Sequence, residues 1–216
     1  NTEGSIKKII ALAAQNNVVI QEVSRQKLDE LSQTKNHQGV IAIASAHNYA
    51  EVDDILQYAE QKGEPPFIVI LDGITDPHNL GAIIRSAECA GAHGVIVPKH
   101  RSVGLNATVA KTSAGAIEYM PVARVTNIVK TMEQLKKQGL WFACADMKGL
   151  DYFDTDMKGS IGIVIGSEGE GVSRLVKQNC DFTVAIPMYG KISSLNASVA
   201  AGLLLYEVVR QRKFLS

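Results

Sequence analysis

Three separated stretches of this chain carry side chains whose types and spacing suit chemistry on a polar substrate. The first is Asp72-Gly-Ile-Thr-Asp-Pro-His-Asn79-Leu-Gly81, with Arg85 shortly after it. The second is Gly166-Ser-Glu168-Gly169-Glu170-Gly171, and the third is Pro187-Met-Tyr-Gly190-Lys-Ile-Ser193-Ser194-Leu195-Asn196. Amides, hydroxyls, carboxylates and one guanidinium are groups that orient a substrate and steady charge. Nucleophilic hydrolysis is disfavoured, because Gly166-Ser-Glu-Gly lacks the GxSxG spacing of a nucleophile elbow. The glycine pattern is GxxGxG, neither the GxGxxG of dinucleotide folds nor GxxxxGK[ST] of phosphate loops. Its two glutamates would repel a phosphate, so a neutral or cationic ligand suits it better.

Each of these residues also has a purely structural reading. Asn79, Ser194 and Asn196 are all good helix caps. Arg85 has the option of pairing with a surface carboxylate, and Glu168 and Glu170 that of simple loop acids in solvent. The glycines of the second segment permit positive φ in a tight connection. His78 and His93 read as structural or substrate-facing, since neither has a nucleophile motif nearby.

The positioning elements follow from periodicity. Phe67–Leu71, Gly94–Val97, Leu140–Ala145, Ile161–Ile165 and Phe182–Ile186 are short apolar runs, with a further strand expected at Tyr119–Val122. Between them lie helical patterns: about Asn79 to Ala90, a short helix after Ala107, Ile128 to Leu135 ended by Gly139, and about Asn196 to Arg212. Val199, Leu203 and Tyr206 are the expected inward positions of the last helix. Unbroken apolar strands alternating with helices predict an α/β fold with a mostly parallel sheet covered on both faces. In such sheets ligands bind beyond the carboxyl ends of the strands. All three segments directly follow an expected strand, so they are expected to converge there.

Residues 1–45 have a different texture, with helical spacing at Ile6, Ile9, Ile10 and Ala13, a short helix near Gln26–Leu31 and an expected strand at Val40–Ala44. They read as the back end of a small α/β unit, and the leading Asn1 in place of Met fits a trimmed or processed start. The polar stretch 46–64, closed by Gly63-Glu64-Pro65-Pro66, is expected to be a partly helical linker, leaving 65–216 as the main domain. Net charge is +0, so any nucleic-acid partner must be met by local clusters such as Lys99-His100-Arg101 with Lys111, or Lys7-Lys8. The apolar runs are too short for a membrane helix. Cys89, Cys144 and Cys180 lack metal-binding spacing and read as buried free thiols of a cytoplasmic protein.

Taken together, Asp76-Pro-His-Asn79-Leu-Gly-Ala-Ile-Ile-Arg85, Ile163-Val-Ile-Gly166-Ser-Glu168-Gly169-Glu-Gly171 and Ile186-Pro-Met-Tyr-Gly-Lys-Ile-Ser-Ser194-Leu195-Asn196-Ala-Ser198 resemble the three signature motifs of the SpoU (TrmH-like) RNA 2'-O-ribose methyltransferases. Lys111-Thr-Ser-Ala-Gly115 and Pro121–Asn127 extend the similarity toward the bacterial 23S rRNA guanosine-2'-O-methyltransferases of the RlmB type. The first 45 residues are similar to the second half of that group's L30e-like substrate-binding domain. The resemblance implies a C-terminal trefoil knot (the SPOUT class), S-adenosylmethionine as cofactor, no metal, ribosomal RNA as partner and a homodimer. It implies Gly166, Ile186, Met188 and Leu195 as the cofactor-binding set, and Arg85, Asn79, Glu168, Ser194 and Asn196 as the catalytic set. Deprotonating an arginine at neutral pH costs on the order of 8 kcal/mol, which favours a phosphate-binding cation over a general base at Arg85.

Overall fold

The computed structural model describes residues 2–16, 18–32, 37–42 and 47–214. The chain divides into two compact units, Asn1–Ala44 and Ser45–Ser216. In the first, helix α1 spans Thr2–Gln15 and α2 spans Arg25–Leu31. Ser24 starts α2 by accepting a hydrogen bond from the Lys27 amide (3.2 Å). No strand forms at residues 40–42, and the rest of the strand expected at Val40–Ala44 lies outside the described residues.

In the second unit six parallel strands form one sheet: β1 (Phe67–Asp72), β2 (Gly94–Pro98), β3 (Val122–Val125), β4 (Trp141–Asp151), β5 (Ile161–Gly166) and β6 (Phe182–Ala185), in the order β3-β2-β1-β5-β4-β6. Alternate residues point to opposite faces. Val69, Leu71, Ile163 and Ile165 share one core with Ile83 and Ile84 of α4 (Pro77–Cys89) and Ala201, Leu204, Leu205 and Val208 of α8 (Ala197–Phe214). Ile68, Ile70 and Val164 share the other with Ile55 of α3 (Val52–Lys62), Ile128, Met132 and Leu135 of α6 (Ile128–Lys136) and Val176 of α7 (Arg174–Gln178). The short α5 covers Ala107–Thr112. Both faces are thus covered, and residues with a two-residue period fill two separate cores.

Several details differ from the expectation. Helix α3 packs into this unit: it buries Ile55 and Ala59 completely, and a side chain on Gly94 would collide with Ile55. Its polar composition reflects one wet face of a packed helix. The third strand begins at Val122, three residues late, because a 3-10 turn at Ala116–Glu118 holds Ile117 and Met120 against the core and leaves Tyr119 exposed. Val199, Leu203 and Tyr206 face outward, between 40% and 52% exposed. The apolar pattern of α8 runs almost all the way round, so periodicity does not choose a side. The buried side is fixed instead by Glu207 and Gln211, the latter accepting from the Met157 amide (2.7 Å) and donating to the Thr155 carbonyl (2.9 Å). Cys144 is buried and Cys180 half-buried, but Cys89 is exposed at the end of α4.

His93 belongs to the opposite edge of the sheet from the three motif loops. Its Nδ1 accepts from the Phe67 amide (2.9 Å), which requires the Nε2–H tautomer donating to Glu64 (3.2 Å). Burial holds its pKa below the ordinary 6.5, against the opposing pull of Glu64. A depressed histidine binds its proton less readily folded than unfolded. Its contribution is therefore complete above pH 6.5 and is lost as pH falls from there toward the folded pKa. Urea denaturation at pH 7.5 and 5.5 will show lower stability at the acid value, and His93→Gln will flatten that difference; an unchanged slope would remove His93 from the account.

Candidate active site

The loops after β1, β5 and β6 leave the sheet at the same carboxyl edge. The parallel register sets Asp72 beside Gly166, at the points where the first two loops begin. Asp72 accepts a hydrogen bond from the Ser173 amide (2.8 Å), tying the β1 loop to the far side of the β5 loop.

Asp76, not Asn79, caps α4: its carboxylate accepts from the amides of His78 (3.1 Å) and Asn79 (3.3 Å), with Pro77 in the first turn. The Asn79 side chain is thereby released for another task and is buried. It donates to Glu168 Oε1 (3.0 Å), while its own carbonyl oxygen accepts from Asn196 Nδ2 (2.9 Å). Asn196 Nδ2 also donates to Glu168 Oε1 (2.6 Å), and the Ala197 amide completes the set (3.3 Å). One carboxylate oxygen thus gathers donors from the first and third motif loops. Asn196 serves in two capacities, because its Oδ1 accepts from the amides of Ser198 (2.9 Å) and Val199 (3.3 Å) and caps α8. Ser194 is exposed and has no part in this network. Glu170 is exposed as well.

The β5 loop closes on itself. Ser167 and Gly171 exchange backbone hydrogen bonds (3.1 and 2.9 Å), and Gly169 and Gly171 adopt positive φ (89° and 69°). A Cβ on Gly166 would lie 2.0 Å from the Gly171 carbonyl carbon. Glycine is needed there because the loop's own backbone returns across it.

The apolar candidates lie at the same edge. Ile186 is half-buried against the core, and Met188 and Leu195 are 37% and 38% exposed. Among the described residues no hydrogen bond engages the backbone of residues 187–195, leaving its N–H and C=O groups available to a ligand. Arg85 lies further along α4, exposed and without an ion pair among the described residues, so it does not pair with a surface carboxylate. No group of three or more His, Cys, Asp or Glu among the described residues could hold a metal ion. The Asp72–Ser173 tie went unrecognised in the sequence; its only signal was an acid at the end of a strand.

A family profile described as the SpoU rRNA Methylase family matches residues 66–206. The chain belongs to the SpoU rRNA methylase family. A second profile, RNA 2'-O ribose methyltransferase substrate binding, matches residues 1–50 of this SpoU chain. It is 52% identical over 211 residues to YacO of Bacillus subtilis, provisionally named a TrmH family tRNA/rRNA methyltransferase, covering 97% of this chain and 84% of that one. A Staphylococcus saprophyticus protein with the same provisional family name is 47% identical, covering 99% and 86%. Among solved structures, the SpoU methyltransferase AviRb from Streptomyces viridochromogenes in complex with AdoMet matches with a TM-score of 0.69 and 30% identity, covering 94% of this chain and 87% of that one.

The carboxylate at the centre of this SpoU site is open to a direct test. Glu168→Gln keeps an oxygen acceptor for the three donors, whereas Glu168→Ala leaves the buried Asn79 amide unmatched, at about 1–3 kcal/mol. Thermal unfolding will place the Gln variant near wild type and the Ala variant clearly below it. Equal melting temperatures for all three would show that the network carries no stability.

Proposed function

We propose that this protein transfers a methyl group from S-adenosylmethionine to the ribose 2'-hydroxyl of a guanosine in 23S ribosomal RNA, in the cytoplasm. The observation that carries the methyltransferase reading is the Asn79–Glu168–Asn196 network, which joins all three motif loops at one edge of a parallel sheet. The guanosine and 23S assignment rests on the similarity of Lys111–Gly115 and Pro121–Asn127 to the RlmB type.

The residues present fit the cofactor. A cationic sulfonium ligand suits a cleft with a carboxylate, three half-exposed apolar side chains and unengaged backbone groups, and it is a poor match for a phosphate-binding loop. When bound, S-adenosylmethionine supplies an activated methyl group for in-line attack by an oxygen. The backbone around Gly166, Ile186 and Leu195 would hold it, with Met188 against it. Glu168 braces the loops through Asn79 and Asn196. Asn79, Ser194 and Asn196 would fix the ribose and Arg85 by hydrogen bonds. Arg85 binds the adjoining phosphate and stabilises charge growing on the 2'-oxygen. That stabilisation is needed because an un-ionised hydroxyl is a weak nucleophile.

In the same reading residues 1–45 contribute an L30e-like RNA substrate-binding portion, residues 65–216 with α3 packed against them are the catalytic domain, and the C-terminal segment is threaded through a loop as a trefoil knot. A homodimer is supported by the outward apolar side of α8, where Val199, Leu203 and Tyr206 adjoin Phe153 in an open groove of about 670 Å³. Leu203→Asp will shift the protein to the monomer in sedimentation analysis if that groove is the interface; an unchanged dimer would place the interface elsewhere.

Incubation with labelled S-adenosylmethionine and unmodified 23S, 16S or transfer RNA, followed by mass mapping of ribose methylation, tests the substrate. A single 2'-O-methylguanosine in 23S RNA is expected. Label on transfer RNA alone would favour the other half of the relatives' tRNA/rRNA name, and no transfer to any RNA would overturn the reading.

A further inference from the structure

The chain has no net charge, yet cations collect at one place beside the candidate site. Lys99, His100 and Arg101 follow β2, and Arg124 stands on the neighbouring β3; all four are exposed. Among the described residues none of them forms an ion pair.

The cluster is also held in place. Arg124 Nη2 donates to the Lys99 carbonyl (2.9 Å), and its guanidinium lies 5.3 Å from the centre of the Tyr49 ring. The Tyr49 hydroxyl in turn accepts from the Leu105 amide (3.1 Å), further along the loop. The Lys99 amide donates to the Val125 carbonyl (2.7 Å). Arg101 sits at φ 56°, a left-handed conformation that a long side chain adopts only under constraint, and such strain gathers at ligand clamps. The loop is moreover joined to the first motif loop, since the Val103 amide donates to the Ile74 carbonyl (3.1 Å). Whatever binds the cations lies next to whatever binds at Asn79.

The chemistry of the partner follows from the arrangement. Several fixed cations spread over an open loop and strand match a chain of repeated anions better than one enclosed phosphate. We propose that Lys99, Arg101 and Arg124, with His100 among them, form a phosphodiester-docking flank that grips the RNA strand beside the nucleoside to be methylated. This inference rests on the reading of the chain as an enzyme acting on RNA. Such contacts set register and orientation without reading sequence.

The test uses Lys99→Gln/Arg101→Asn. The Lys99 carbonyl that holds Arg124 survives, and asparagine tolerates the left-handed backbone at position 101. Binding of a labelled 30-nucleotide single-stranded RNA is followed across salt concentrations, with S-adenosylmethionine affinity measured in parallel as a check on the fold. Loss of two phosphate contacts will weaken RNA binding by about tenfold and lower the slope of log affinity against log salt by about 1.4, at about 0.7 per single-strand phosphate. Cofactor affinity will not move. A wild-type slope and affinity in the variant would overturn the flank, even if methyl transfer proceeds normally. Conversely, a reduced slope in a protein that methylates no RNA would sustain the flank and remove the enzymatic reading. Arg124→Gln supplies a second measurement, with a slope lowered by about 0.7.

Discussion

Arg85→Ala will slow methyl transfer to RNA by about 100- to 1000-fold, the usual loss when one preorganised stabiliser of developing negative charge is removed. The expectation comes from what Arg85 lacks. It is exposed on α4, forms no ion pair among the described residues and stands apart from the hydrogen-bonded network at Glu168. A fold has little use for it. Cofactor affinity, read by calorimetry, should accordingly stay within about twofold of wild type, and the melting temperature should hold, as for surface substitutions generally. Arg85→Lys separates the two aspects of the side chain: charge is kept, while the planar fork that grips two phosphate oxygens is lost. A partial rate is expected. Turnover of the Lys variant at the wild-type level would dismiss the bidentate grip, and an Ala variant within tenfold of wild type would dismiss Arg85 altogether.

The second large effect is structural. Gly166→Ala places a methyl group 2.0 Å from the Gly171 carbonyl carbon and 2.1 Å from the Val172 nitrogen. Backbone cannot yield there without opening the Ser167–Gly171 pairing. Overpacking of this kind costs about 3 kcal/mol, a fall in melting temperature of roughly 6–12 °C for a domain of this size. Cofactor affinity will drop with it, because Glu168 is carried by the same loop. Gly159→Ala is the matched control: a Cβ there meets nothing within 4 Å, and its backbone lies outside the left-handed region. If the two variants melt together, the closure at Gly166 is softer than its geometry implies.

Much of this architecture could be read from residues alone, and the failures have identifiable causes. Unbroken runs such as Phe67–Leu71 and Ile161–Ile165 announce strands buried on both faces, and their alternation with helices implies a parallel sheet. Loop convergence followed from strand direction. The sense of α8 did not, because apolar residues line two of its sides and only the buried Glu207 and Gln211 reveal which one is covered. Nor could composition distinguish a linker from α3, whose acids and glutamines cover a single wet face while Ile55 and Ala59 disappear into the core. At the site itself the residue types were visible and their partners were not. That Asp76 takes the cap and frees Asn79 depends on backbone angles, and that Glu168 meets both asparagines depends on three loops meeting. The family resemblance makes Gly166 a cofactor-binding position, and the requirement for glycine there comes from the chain's own return across it.

The order in which this cleft can come into being follows from the spans its hydrogen bonds bridge. Asn79 and Glu168 are 89 positions apart, and Asn196 and Asn79 are 117 apart. Contacts of such high order form slowly, because chain entropy must be surrendered before they return anything. Most of the sheet can pair first, and Glu168 gains its third-loop donors only when α8 brings Asn196 and Ala197 to it. A growing polypeptide therefore exposes no finished pocket until Asn196 and the helix it caps have been added, and fragments ending before Asn196 will fold in part yet bind nothing.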